Sequence, residues 1–175
     1  ETARHIVRNS AENLSKTTLE LGGKSPFIVF EDADLQSAAN AQVAAIFAAS
    51  GQSCVAGSRL LVADSIKERF LATLVESVER IVIGSPDDPA TQFGPLCTLR
   101  QKQHIADVVQ RSVDQGAKVC TGHYLIDRPG FYYPPTILDC SATPQADSVV
   151  QELFGPVLSV VTFRDEDEAL RLAND

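Results

Sequence analysis

Methionine and tryptophan are both absent from the 175 residues, and aromatics make up 6% of the chain. Without methionine, Glu1 is not expected to be a native initiation site. The final run, Glu168 to Asp175, also reads as a helix that stops partway, so a piece of a longer protein is expected rather than a processed mature chain. An apolar run approaching the ~20 residues of a membrane span is lacking, as is the charged-then-apolar start of a secretory signal. Positive charge is in deficit: a net charge of -8 argues against nucleic acid and against an anionic membrane surface. No C-x-x-C pair occurs among Cys54, Cys97, Cys120 and Cys140, and their spacings fit no zinc pattern, so no metal site is expected. With no signal, the four thiols are expected to be reduced, in a cytoplasmic chain. Neither G-x-G-x-x-G nor a P-loop is present.

What is there describes one α/β domain. A hydrophobic fraction of 44% with 22% charged residues is that of a globular chain with a sizeable core. Thr2 to Ser15 reads as a polar helix, followed by a Gly22-Gly23 break. Pro26 to Phe30 is a short apolar run, expected as a buried strand. Asp34 can cap a helix whose stretch from Ala38 to Ala49 is apolar nearly all round, with Asn40 and Gln42 as exceptions. Such a helix is expected to be buried, its alanines letting neighbouring backbones approach closely.

Arg59 to Ala63 is a second strand. Ser65 and Glu68 have the spacing of a capping box ahead of a helix with Phe70, Leu74, Val78 and Ile81 on one face. Thr98 and Gln101 form a second such box, opening a helix ended by Gly116. Lys118 to Cys120, Thr136 to Leu138 and Leu158 to Phe163 are further extended runs. Asp165 and Glu168 can cap the last helix. Strands alternating with helices of ten or more residues predict βαβ units and a parallel sheet.

The chemistry centres on Ser50-Gly51-Gln52-Ser53-Cys54. A nucleophilic thiolate needs access and a turn that exposes its sulfur, and Gly51 permits the unusual backbone angles of such a turn. A lone cysteine ending an apolar helix is nevertheless more often a core residue. Glu20 could serve as general base toward a water that releases an acyl group from sulfur, although an isolated glutamate before a glycine turn is more often simply solvated. His5, His104 and His123 sit in no hydrolase-like dyad, which weakens a Cys-His hydrolase. Glu152, ahead of the rigid Phe154-Gly155-Pro156 turn, could bind sugar hydroxyls while the Phe154 ring offers a flat face. The plainer reading is a loop glutamate and a core phenylalanine.

Taken together, three blocks resemble the aldehyde dehydrogenase superfamily. Glu20-Leu21-Gly22-Gly23-Lys24-Ser25-Pro26 resembles its glutamate signature. Gly51-Gln52-Ser53-Cys54 followed by Ala56-Gly57-Ser58-Arg59 resembles its cysteine signature, 34 positions on. Glu152-Leu153-Phe154-Gly155-Pro156-Val157 resembles a third block, with Gly94-Pro95-Leu96 and Pro135-Thr136 as weaker landmarks between. The blocks keep family order along essentially the whole chain.

The resemblance implies the parallel-sheet catalytic domain of that family over residues 21–175, preceded in 1–20 by the end of the coenzyme-binding segment, truncated at both ends. It further implies oxidation of an aldehyde to a carboxylic acid, with NAD or NADP as hydride acceptor. Cys54 then resembles the nucleophile and Glu20 the general base. Glu152 resembles the ribose-binding residue and Phe154 the residue beside the nicotinamide ring. Leu21 lies where the backbone approaches the carboxamide. Gln101 falls where some members contact ribose, its capping role being an equally good account.

One departure is Ala49, where the family usually has asparagine. The oxyanion asparagine and the nucleotide-binding turn are expected before Glu1, so the isolated segment is expected to be inactive as a dehydrogenase. The partners implied are a small-molecule aldehyde and further copies, as homo-dimer or homo-tetramer. A CoA-acylating semialdehyde dehydrogenase generally lacks the glutamate base, so Glu20 argues against that alternative. A non-redox cysteine acyl hydrolase and a catalytically dead binding domain are the other classes that these residues leave open.

Overall fold

The computed structural model describes residues 1–175. Five strands form one sheet in the order β1-β2-β5-β4-β3, where β1 is Pro26–Val29, β2 Arg59–Ala63, β3 Lys118–Thr121, β4 Thr136–Asp139 and β5 Val157–Phe163. β1, β2, β5 and β4 run parallel. β5 is paired on both edges, and every residue of it except Thr162 is buried. Such a doubly covered parallel strand calls for a near-continuous apolar run, and its buried polar exception, Ser159, donates to Ser148 O at 2.8 Å.

The expected all-parallel sheet is corrected at one edge, because β3 pairs antiparallel with β4 through a register shift between Val119 and Thr121. Residues 122–135, which join the two strands, contain no helix. A parallel return needs a crossover, usually helical, and without one the chain doubles back.

The helices are α1 (Thr2–Asn13), α2 (Leu35–Phe47), α3 (Lys67–Glu79), α4 (Leu99–Asp114), α5 (Asp147–Val150) and α6 (Glu166–Asn174). α2 packs on α3, α4 on α5, and α6 against β2 and β5. Phe70, Leu74, Ile105, Leu60, Leu158 and Phe163 lie at the centre of the core. Each contributes roughly 1.5–3 kcal/mol by leaving water. No helix is long and apolar enough to cross a membrane.

The cap residues Asp34, Thr98 and Asp165 each accept from the backbone N–H three residues on. Ser65 does not: its hydroxyl donates to Glu31 at 3.2 Å, and a 3₁₀ turn over Asp64–Ile66 precedes α3. α2 is also less enclosed than its composition implied. Only Ala39, Gln42, Ile46 and Phe47 are buried, so the polar exception Gln42 points inward while several alanines face out. Gln42 donates to Gly57 O at 2.7 Å, and Gly57 N donates to Ala45 O at 3.1 Å. That close approach joins α2 to the segment just beyond Cys54.

Candidate active site

α2 ends in a reversal made by three consecutive left-handed residues, Ala49 (φ 50°), Ser50 (φ 56°) and Gly51 (φ 72°). Gly51 is indispensable on two counts. Its angle disfavours a side chain, and any Cβ there would collide with the Gly155 carbonyl and Pro156 N. The cysteine turn therefore seats directly on the turn that follows Glu152 and Phe154. Two polar ties hold it from the other side. Ser50 Oγ donates to Gly94 O at 3.1 Å, and Gln52 Oε1 accepts from Cys97 N at 3.1 Å.

Cys54 emerges from this turn half-buried. It lines a cleft of about 570 Å³ with Glu20, Leu21, Gly22, Gln52, Ser53, Glu152 and Phe154. The structure thus brings together five of the six residues singled out above. Gln101 is not part of that lining. It sits in the first turn of α4, where its backbone N–H completes the Thr98 cap at 3.1 Å. Its side chain does not return to Thr98, as a reciprocal box would need. Instead Nε2 donates to Leu153 O and, at 3.0 Å, to Phe154 O.

The double glycine has a geometric purpose that sequence reading missed. A side chain on Gly22 would overlap the Glu152 carboxylate, while one on Gly23 would stand 3.0 Å from Cys54 O. Two adjacent backbone positions thus receive both the cysteine turn and the carboxylate. Phe154 has φ 50°, lines the cleft and is 41% exposed as a residue, so it is not the core phenylalanine of the plainer reading. Leu153 beside it is the residue that turns inward.

Arg59 locks the two signatures together from beneath. Its Nε donates to Lys24 O at 2.9 Å, and its two terminal nitrogens donate to Leu172 O and Ala173 O at the end of α6. Lys24 is the unexpected member of this group. Its Nζ is buried without a hydrogen-bond partner. Burial first, and then the Arg59 charge, pull it down from an ordinary 10.5 to about 8. A separate cavity of about 280 Å³ is lined by Lys24 and Arg59 together with Val149 and Leu172, and it holds none of the cleft residues.

A half-buried thiol, two carboxylates and an exposed phenyl ring share one open cleft. A cleft of that size, with a flat aromatic face and two carboxylates, can take a planar ring that carries hydroxyl groups. The two carboxylates oppose placing phosphates there.

Known proteins resemble this chain along its whole length. The model of the aldehyde dehydrogenase family matches residues 1–175. The (Z)-2-((N-methylformamido)methylene)-5-hydroxybutyrolactone dehydrogenase of Acinetobacter baylyi is 66% identical over 99% of this chain and 36% of its own length. A putative aldehyde dehydrogenase structure from Burkholderia cenocepacia superposes with a TM-score of 0.92 at 40% identity, over 99% of this chain and 36% of that one. Betaine aldehyde dehydrogenase from Staphylococcus aureus, solved in complex with NAD+, does so at 0.90 and 36%, over 99% and 35%. The chain therefore spans about a third of the length of the relatives it matches. It belongs to the aldehyde dehydrogenase family.

Proposed function

We propose that the protein oxidises an aldehyde to its carboxylic acid with NAD or NADP as hydride acceptor, Cys54 acting as nucleophile and Glu20 as general base. The observation that carries this reading is the convergence of Glu20, Cys54, Glu152 and Phe154 on one cleft. Residues 1–20 would then belong to the coenzyme-binding side and residues 21–175 to the catalytic side.

The Cys54 thiolate adds to the carbonyl carbon, forming the C–S bond of a thiohemiacetal. The Cys54 N–H donates to no other backbone group, so it is free to hold the oxyanion that develops. Bound NAD or NADP supplies the acceptor for the hydride that leaves this carbon. The acyl group then remains on Cys54 as a thioester. Glu20 takes a proton from water as its oxygen attacks that thioester. The C–S bond breaks, releasing the acid and restoring the thiolate. Glu152 and Phe154 would hold the ribose and the nicotinamide ring of that coenzyme.

The hydroxybutyrolactone named for the Acinetobacter relative is the first substrate to try. Its 5-carbon carries both a hydroxyl and the ring oxygen, which is the oxidation level of an aldehyde. Cys54→Ala should abolish oxidation, and Glu20→Gln should slow turnover by about 10²-fold or more while a thioester accumulates on Cys54, readable by mass spectrometry. Undiminished turnover by Cys54→Ala would sink the proposal.

A further inference from the structure

We propose that Gln101 is a positioning residue: its carboxamide clamps the Leu153–Phe154 turn and thereby sets where Glu152 and Phe154 stand relative to Cys54. The consequence for coenzyme rests on the reading of the cleft given above, whereas the clamp does not.

Three observations carry it. First, Gln101 Nε2 is committed to two successive carbonyls, those of Leu153 and Phe154. Those carbonyls flank a residue at φ 50°, an angle that an L-residue adopts only when its surroundings enforce it. Second, one helical turn along α4, the Ile105 side chain fills the space a Cβ on Gly155 would need. Positions four apart share a helix face, so one stripe of α4 grips both peptides of the turn. Third, the gripped segment is itself the seat of the cysteine turn, since Gly51 lies against Gly155 and Pro156.

The side chains of Glu152 and Phe154 have no comparable anchor of their own. Both residues are exposed, and neither makes a side-chain hydrogen bond to the protein. Their placement is inherited from the backbone that Gln101 holds. The amide nitrogen has given both hydrogens to the two carbonyls, so any direct contact of Gln101 with coenzyme would have to run through Oε1 as acceptor.

The two roles separate cleanly in variants. Gln101→Glu keeps an acceptor oxygen at the tip but sets a carboxylate against two carbonyls, so a clamp should fail as badly as in Gln101→Ala. Gln101→Lys restores a donor and should recover most of the wild-type behaviour. Gln103→Ala, an exposed neighbour on α4, serves as control. The structural readout is chymotrypsin cleavage after Phe154, quantified by mass spectrometry against total digestion.

We expect cleavage there to accelerate about tenfold in Gln101→Glu and Gln101→Ala and to stay unchanged in Gln103→Ala. KM for NAD or NADP should rise at least about tenfold in the same two variants, because small misplacement of binding groups is costly. Wild-type cleavage and kinetics in Gln101→Glu would overturn the proposal. So would a Gln101→Glu variant that keeps its coenzyme KM while Gln101→Ala loses it, since that pattern marks a direct acceptor contact. If the parent protein oxidises no aldehyde, the functional reading fails, and the cleavage rates alone still decide for or against the clamp.

Discussion

The Glu152 carboxylate occupies the space that a side chain on Gly22 would need. A residue that resembles a ribose ligand is thus shaped by a hydrogen on the opposite loop. Gly22→Ala should push the carboxylate aside. Glu152 is the exposed, flexible partner in that collision, so the loss of stability should stay below about 1 kcal/mol. Coenzyme KM should rise about tenfold. Thermal unfolding together with coenzyme titration checks both halves, and an unchanged KM would count against the assigned role of Glu152.

Ala49 sits at φ 50° and ψ 36°, exposed, with no packing to lose. Asparagine tolerates the left-handed region better than alanine, which has no side chain able to bond the local backbone. Ala49→Asn should therefore stabilise the protein by about 0.5–1 kcal/mol. Urea denaturation measures it, and a lower midpoint would show that the turn is held by other means. The asparagine usual at this position in the family has, on this account, a conformational reason.

Lys24 should make stability depend on pH in an unusual window. Its folded-state value of about 8 lies below the ordinary 10.5. Below pH 8 both states carry the proton, and the folded state bears the full cost of a buried charge. Between pH 8 and 10.5 the unfolded chain holds the proton and the folded one does not, so stability rises with pH. Lys24→Met should raise stability at pH 7 by about 1–3 kcal/mol, an advantage that shrinks as pH climbs through that window. Parallel curves for the two proteins across pH 7–10.5 would contradict it.

Much of this fold could be read from local pattern. β5 is a β-prone run with five apolar residues of seven, Asp34, Thr98 and Asp165 precede helices at capping distance, and Gly116 (φ 107°) ends α4. The readings that failed needed partners remote in the chain. Ser65 had a plausible partner at Glu68, yet its hydroxyl donates to Glu31, 34 positions away. The Gln101 amide was equally suited to its own helix start and to two carbonyls 52 and 53 positions away. Spacing alone does not rank such options.

The site divides in the same way. Cys54, Glu20, Leu21, Glu152 and Phe154 were found through their blocks, and the cleft unites them. Lys24 and Arg59 lie in those same blocks, but their burial is a property of the packed sheet. The roles of Gly22 and Gly23 were likewise hidden, because an empty volume acquires meaning only from what fills it.

No residue from Glu1 to Gly22 is buried, and Glu20 lies within that stretch, whereas the turn leading to Cys54 is braced through Gly51, Ser50 and Gln52 by Gly155, Gly94 and Cys97. A lone 12-residue helix such as α1 is marginal in water. The thiol and the carboxylate that share the cleft therefore draw on different supports. Packing among these 175 residues fixes the turn that carries Cys54, whereas the position of Glu20 follows from the course of the backbone into Gly22 and Gly23, which meet Glu152 and Cys54 O directly.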